Sequence, residues 1–205
     1  MLILVICALS VGALHALAPD HWLPFVMIAK AQKWSQRRLA VMVFFAGLAH
    51  VLSAFLIGLG GMALGVTFNQ AVRFDSARAN IFSYLLIGFG LAYMIYGIRK
   101  WKAAHAPEDN QSRSLVGWIL MALLVFGPCE PLIPVLFLGS LHGGWHAVTL
   151  CALFSIATLG TMFIVSALAY RGLSLKNVPL LRNFSPVMAG GAIAAAGIIV
   201  RVLGL

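Results

Sequence analysis

The sequence predicts an all-α polytopic membrane protein of six transmembrane helices. Of its 205 residues, 62% are hydrophobic and only 9% are charged, with a mean hydropathy of +1.00. This composition is far too apolar for a soluble domain. Apolar stretches of about 20 residues, the length that crosses about 30 Å of hydrocarbon, recur along the chain. They fall at 2–29, 39–66, 79–98, 115–139, 146–170 and 183–204.

The basic residues predict the orientation of these spans. Eleven of the 14 lysines and arginines fall in the first, third and fifth loops. Because cytoplasmic loops are rich in Lys and Arg, we expect both termini outside a prokaryotic-type inner (plasma) membrane. The net charge of +9 then reflects topology and does not indicate nucleic acid. The lipid bilayer is the expected environment, and assembly into a homo-oligomer is left open.

The chain divides into two similar halves. A polar stretch at 99–114 predicts a cytoplasmic linker between a first three-helix repeat at 1–98 and a second at 115–205. The pattern Asp20-x3-Pro24 recurs as Glu130-x3-Pro134. Two inverted repeats of three helices are common among secondary transporters, and we expect that arrangement here.

The first span carries His15, Asp20 and His21, which cannot share one face of an unbroken helix. Pro19 and Pro24 cannot donate to the carbonyls of the residues four positions earlier, so the span should kink or unwind there. A kink can turn both imidazoles and the carboxylate toward a common point. We expect the freed carbonyls to line an enclosed, wet cavity, because exposing them to lipid is costly.

The fourth span repeats this device around its acid. It reads Gly-Pro-Cys-Glu-Pro-Leu-Ile-Pro over 127–134, so its helix should also be interrupted, next to Glu130. Ionisable groups are expensive in mid-membrane and usually mark a functional site. Irregular backbone beside such a group is typical of transporters.

The residue types indicate a transition-metal site. Imidazole and carboxylate ligands suit Ni²⁺, Co²⁺, Zn²⁺ or Fe²⁺ better than Mg²⁺ or Ca²⁺. Metal binding competes with protonation of these groups, which gives a basis for proton coupling. We expect two histidines and one acid of the first span as primary ligands, the acid of the fourth span for charge balance or proton exchange, and two supplementary ligands. These residues are His15, Asp20, His21, Glu130, Cys129 and His50.

Structural alternatives remain open for this set. The three residues of the first span could form a buried hydrogen-bonded cluster that only fixes helix geometry. Glu130 could pair with a histidine of the bundle. His50 could bond to a neighbouring helix, as polar residues in membrane spans often do, and Cys129 could act as a small apolar residue.

The pattern His15-x4-Asp20-His21, with Ala16 after the first histidine, resembles the signature of the nickel/cobalt transporters (NiCoT) and the related nickel/cobalt efflux and urease-accessory membrane proteins. The resemblance implies secondary transport of a divalent metal, with His15, Asp20 and His21 recognising the ion. The proline-cysteine element at 127–131 is similar instead to the DsbD/CcdA thiol-redox carriers and the sulfite exporters of the wider LysE-like group, so both remain alternatives.

The sequence does not indicate an enzyme. It contains no nucleophile-base motif and no nucleotide-binding loop. We therefore expect no prosthetic group, with the metal ion as the substrate.

Overall fold

The computed structural model describes residues 1–102, 110–172 and 185–203, and every regular element within them is an α-helix. We number the helices in chain order. They are α1 (Leu2–Ala16), α2 (Pro19–Ala31), α3 (Gln36–Ala63), α4 (Phe68–Lys102), α5 (Asn110–Phe126), α6 (Leu132–Ser140), α7 (Gly144–Gly172) and α8 (Ser185–Leu203).

Helices α3, α4, α7 and α8 are each long and apolar enough to cross a membrane. Helices α1 and α2 meet at 42° and form a fifth span if the bent pair is counted as one. An all-helical membrane protein is therefore confirmed. The described residues contain four or five spans by length and composition, where six were predicted. The difference lies at 115–139, where the predicted fourth span is divided into the shorter helices α5 and α6. The sidedness of the termini stays a prediction.

Both proline-rich segments interrupt their helices. Helix α1 ends at Ala16, and Pro19 is the first residue of α2, where a missing N–H costs nothing. Pro24 lies inside α2, so the interruption is confined to the two residues before Pro19. In the second half, helix is absent at 127–131, between α5 and α6.

Helix α4 begins at Phe68, well before the predicted start of the third span at 79. A capping box accounts for the early start. The Thr67 N–H donates to the Gln70 side chain at 2.9 Å, and the Gln70 N–H lies 3.4 Å from the Thr67 hydroxyl. Asp75 and Arg78, which the sequence places in a loop, are therefore helical.

The predicted linker at 99–114 overlaps helix at both ends. Helix α4 continues to Lys102 and α5 begins at Asn110, while 103–109 lie outside the described residues.

The most extensive helix contact joins α4 to α8. A Cβ on Gly90 would collide with the backbone N of Ala194, and a Cβ on Gly190 would collide with the backbone N of Met94. The two backbones approach this closely only because both glycines lack side chains. Small residues at helix contacts are the usual means of close packing in membranes.

Gly190→Ala should therefore destabilise the protein, whereas the neighbouring Gly191→Ala should not. A Cβ at Gly191 meets nothing within 4 Å, while overpacking at Gly190 is expected to cost about 1–3 kcal/mol. Thermal unfolding of the two variants in the same detergent tests this. Equal melting temperatures for the pair would contradict the close contact of α4 with α8.

Candidate metal centre

Four potential metal ligands from four segments meet near the middle of the bundle. His15 lies in the last turn of α1, His21 in the first turn of α2, His50 near the centre of α3, and Cys129 in the connection between α5 and α6. His15 Nε2 lies 3.1 Å from His21 Nε2 and 3.6 Å from Cys129 Sγ. One donor atom from each of His15, His50 and Cys129 lies within 4.8 Å of the others. We call these four residues the metal centre.

The three imidazole rings pack directly against one another. The His21 ring lies edge-on to both others, with centroids 4.3 Å from His15 and 5.2 Å from His50. His21, His50 and Cys129 are almost fully buried, and His15 is partly buried. The rings therefore form one compact group of nitrogen donors rather than three separate interhelical contacts.

The break in the first span brings His15 and His21 together. Six residues apart on one straight helix, they would point about 240° apart, but the 42° bend turns them toward each other. Helix α1 is fixed on this face by α7. The Thr158 hydroxyl donates to the Gly12 carbonyl at 3.2 Å, and a Cβ on Gly12 would lie 2.6 Å from the Phe154 carbonyl oxygen.

Two of the histidines have one ring nitrogen held by an acceptor. His50 Nδ1 lies 2.8 Å from the Leu124 carbonyl, which can only accept, so Nδ1 carries the proton. His21 Nδ1 donates to the Asp20 carboxylate at 3.0 Å. In the neutral imidazoles, both Nε2 atoms then carry lone pairs. His50 Nε2 is buried and has no hydrogen-bond partner among the described residues.

Two donor separations, His15 to His21 and His15 to Cys129, match those of a tetrahedral metal site. With metal–nitrogen bonds of about 2.0–2.1 Å and a metal–sulfur bond of about 2.3 Å, two nitrogens lie roughly 3.3 Å apart, and nitrogen and sulfur roughly 3.6 Å apart. The corresponding separations here are 3.1 Å and 3.6 Å. Ligating histidines typically donate their other N–H to a carboxylate or backbone carbonyl, as His21 and His50 do.

The wet cavity expected beside the first break stays a prediction. At the second break, side chains of α3 and α4 satisfy the end of α5. The Ser53 hydroxyl lies 2.9 Å from the Val125 carbonyl and 2.8 Å from the His50 carbonyl, and Arg78 donates to the Gly127 carbonyl at 3.0 Å. His50 donates to the Leu124 carbonyl. Hydrogen bonding within the protein satisfies the backbone without exposure to lipid.

The other sequence-predicted residues have different positions. Asp20 contacts the metal centre through His21. Glu130 is half-buried and makes no described hydrogen bond to the metal centre, whereas its neighbour Cys129 contacts His15. In this break the thiol, and not the carboxylate, points toward the imidazoles.

A buried acid that the sequence analysis did not single out lies beside this break. The carboxylate of Asp75 is 4% exposed and accepts from Arg78 at 2.9 Å. Its partner Arg78 also donates to the Gly127 carbonyl at 3.0 Å, so Asp75 lies beside the second break. The available signal was the Asp75-x2-Arg78 spacing, which places opposite charges on one helix face.

Comparison of the chain with protein-family models, with curated proteins and with solved structures found no match. The interpretation of the site therefore depends on its own geometry.

Asp20→Asn is expected to weaken metal binding about 10- to 100-fold, because losing the carboxylate lowers the basicity of His21 and loosens its ring orientation. Calorimetric titration of the purified protein with Ni²⁺, Co²⁺ and Zn²⁺ measures this effect. His142→Ala, which removes an exposed histidine from the turn after α6, is the control and should bind as the wild type does. Unchanged affinity in Asp20→Asn would argue against the arrangement described here.

Cobalt spectroscopy tests whether Cys129 is a ligand. A Co²⁺-loaded protein should show a thiolate-to-metal charge-transfer band and the intense visible bands of tetrahedral coordination. Cys129→Ser should abolish the charge-transfer band, whereas Cys7→Ser, which changes an exposed cysteine of α1, should keep it. Survival of the band in Cys129→Ser would exclude this thiol from the ligand set.

Proposed function

We propose that the chain is a secondary membrane transporter of a divalent transition-metal cation, such as nickel or cobalt. One observation carries the proposal. Two imidazoles with their Nδ1 atoms held by acceptors, a third imidazole and a thiol lie together where two interrupted helices meet. Donor atoms of His15, His50 and Cys129 lie within 4.8 Å of one another. Within a membrane-spanning bundle, a buried group of this kind is best explained by an ion that passes through it.

The proposed substrate follows from the donor set. Three imidazoles and one thiolate favour borderline to soft cations over Mg²⁺ and Ca²⁺, which require oxygen ligands. The resemblance of His15-x4-Asp20-His21 to the nickel/cobalt signature supports the same class. In this proposal His15, His21, His50 and Cys129 bind the ion and Asp20 orients His21.

We further propose six spans arranged as two inverted repeats, with α5 and α6 forming a second broken span. The packing of α4 on α8 supports a two-fold relation. A Cβ on Gly97 would lie 2.8 Å from the Val187 nitrogen, and a Cβ on Gly197 would lie 2.8 Å from a side-chain carbon of Ile87. Gly97 and Gly197 are 100 positions apart, and so are Ile87 and Val187. The two contacts therefore join equivalent positions of the two halves.

Two further contacts fit the same relation. Helix α1 of the first half packs on α7, the middle span of the second half. Helix α5 of the second half packs on α3, the middle span of the first half. Rocking of one half against the other would then open the metal centre to each side in turn. The ion has three ligands in the first proposed repeat and one in the second, so this motion would change its coordination.

The position of Glu130 leaves it a role in charge balance or proton exchange beside the centre. Together with Asp75, it places two carboxyl groups near the second break. Proton coupling is part of the proposal because imidazole and thiolate ligands must lose protons to bind the metal.

The alternatives receive less support from these contacts. A thiol-redox carrier needs two cysteines that meet. Cys129 and Cys151 are both free and belong to one buried cluster, and the hydrogen-bond contact described for the Cys129 sulfur is with His15. An anion exporter needs an available cationic group in the bundle. Arg78 lies beside the second break, and it is bonded to Asp75 and to carbonyls at the end of α5.

Transport into proteoliposomes tests the proposal. His50→Asn should reduce Ni²⁺ or Co²⁺ flux at least about tenfold, because the Asn amide can still donate to Leu124 but offers no Nε2 ligand. His142→Ala is the matched histidine control and should transport normally. Wild-type flux in His50→Asn would disprove transport through this centre.

Two further experiments with the same proteoliposomes test proton coupling and the redox alternative. An imposed pH gradient should alter the metal flux, and an insensitive flux would remove proton coupling while leaving metal transport intact. If the chain were a redox carrier, Cys129→Ser would abolish thiol exchange across the membrane, and the His50→Asn variant would have no metal-specific defect.

A further inference from the structure

A crevice lined by none of the metal-centre residues lies between the first half of α3 and the last half of α7. Its volume is about 540 Å³. Two arginines, Arg37 and Arg171, line it together with Ser166 and apolar residues that include Val43 and Phe163. No acidic residue is among the described residues that line it.

The crevice lies at one end of the bundle, where side chains of the membrane–water interface gather. Arg37 is the second residue of α3 and Arg171 the last but one of α7. At the same end, the Tyr170 hydroxyl donates to the Trp34 carbonyl at 2.5 Å and Arg38 lies 4.6 Å from the Trp34 ring. Aromatic and basic side chains are characteristic of the headgroup level.

The described lining of the crevice is electropositive, because it includes two arginines and no acidic residue. The Ser166 hydroxyl behind this lining is buried without a hydrogen-bond partner among the described residues. The positive end of the α3 dipole lies next to Arg37 and adds to the attraction for an anion.

The order of groups along α7 matches the order of groups in a phospholipid. Arg171 lies near the end of the helix, and Ala167 lies one turn deeper. The acyl chains of a phospholipid lie below its phosphate in the same direction. Phe163 and Ile164, one turn deeper, are 49% and 58% exposed and provide an apolar surface for an acyl chain.

We propose that this crevice binds an anionic phospholipid. The headgroup phosphate pairs with Arg37 and Arg171, and an acyl chain lies against Phe163 and Ile164. Basic crevices between membrane helices on the cytoplasmic side are suited to such headgroups. The distribution of basic residues among the loops also predicts that the start of α3 and the end of α7 lie on the cytoplasmic side.

Lipid binding to the purified full-length protein tests the proposal, by native mass spectrometry and by the shift in melting temperature. The probes are phosphatidylglycerol, phosphatidylcholine and inorganic phosphate. Phosphatidylglycerol should bind more tightly than phosphatidylcholine. In Arg37→Gln/Arg171→Gln its binding should weaken about 30-fold, from the loss of two basic side chains near the phosphate.

The control is Lys33→Gln/Arg99→Gln, which removes two exposed cations predicted to lie on the same side of the membrane but outside the crevice. It should retain the preference for phosphatidylglycerol. If the control loses as much phosphatidylglycerol binding as the crevice variant, the effect comes from general surface charge and the proposal is wrong. Equal binding of the two lipids by the wild type would also overturn it.

Two further measurements keep the test decisive. Ala167→Phe keeps both arginines but fills the crevice, so it should lose phosphatidylglycerol even if the double arginine variant fails to fold; normal binding would refute the site. Inorganic phosphate, which has no acyl chain, should give a much smaller melting shift. If it stabilises the protein as strongly as the lipid does, the crevice binds a soluble anion and the lipid proposal is wrong.

Discussion

The structure depends on satisfying the backbone where a helix stops among apolar side chains. Apolar surroundings offer no hydrogen bonds, so each carbonyl left without a helical partner must find a donor in the protein. At the end of α5 these donors are His50, Ser53 and Arg78. The bond from His50 has a second effect, because it fixes the proton on Nδ1 and leaves Nε2 able to bind a metal. One contact thus serves both the fold and the candidate site.

Part of this arrangement was predictable from sequence because proline chemistry is local. The missing N–H of Pro19 places a break just before it, and the break brings His15 and His21 together. Which side chain faces inward after a break could not be predicted, because an irregular segment does not keep the helical period. That is why Cys129, expected only as a supplementary ligand, contacts His15 while Glu130 lies outside the group.

The start of α4 shows a second limit of sequence reasoning. Hydropathy locates the apolar part of a membrane helix, but the helix continues into polar sequence when its end is capped and its charges are paired. Thr67 and Gln70 provide the cap, and Asp75 pairs with Arg78. The glycines of α4 and α8 predict close packing, yet the partner of each glycine depends on a register between distant segments that no local pattern specifies.

The proposed function connects the metal to the same backbone contacts. A cation on His50 Nε2 withdraws electron density from the ring and strengthens the Nδ1–H bond to the Leu124 carbonyl, because charge-assisted hydrogen bonds are stronger than neutral ones. Metal bound also to Cys129 would hold the end of α5 and the segment after it against α3. In such a transporter, release of the ion requires loosening of a contact that also satisfies the backbone. The neighbouring donors Ser53 and Arg78 keep α5 capped when that contact loosens, so the site can change coordination without exposing the end of the helix to lipid.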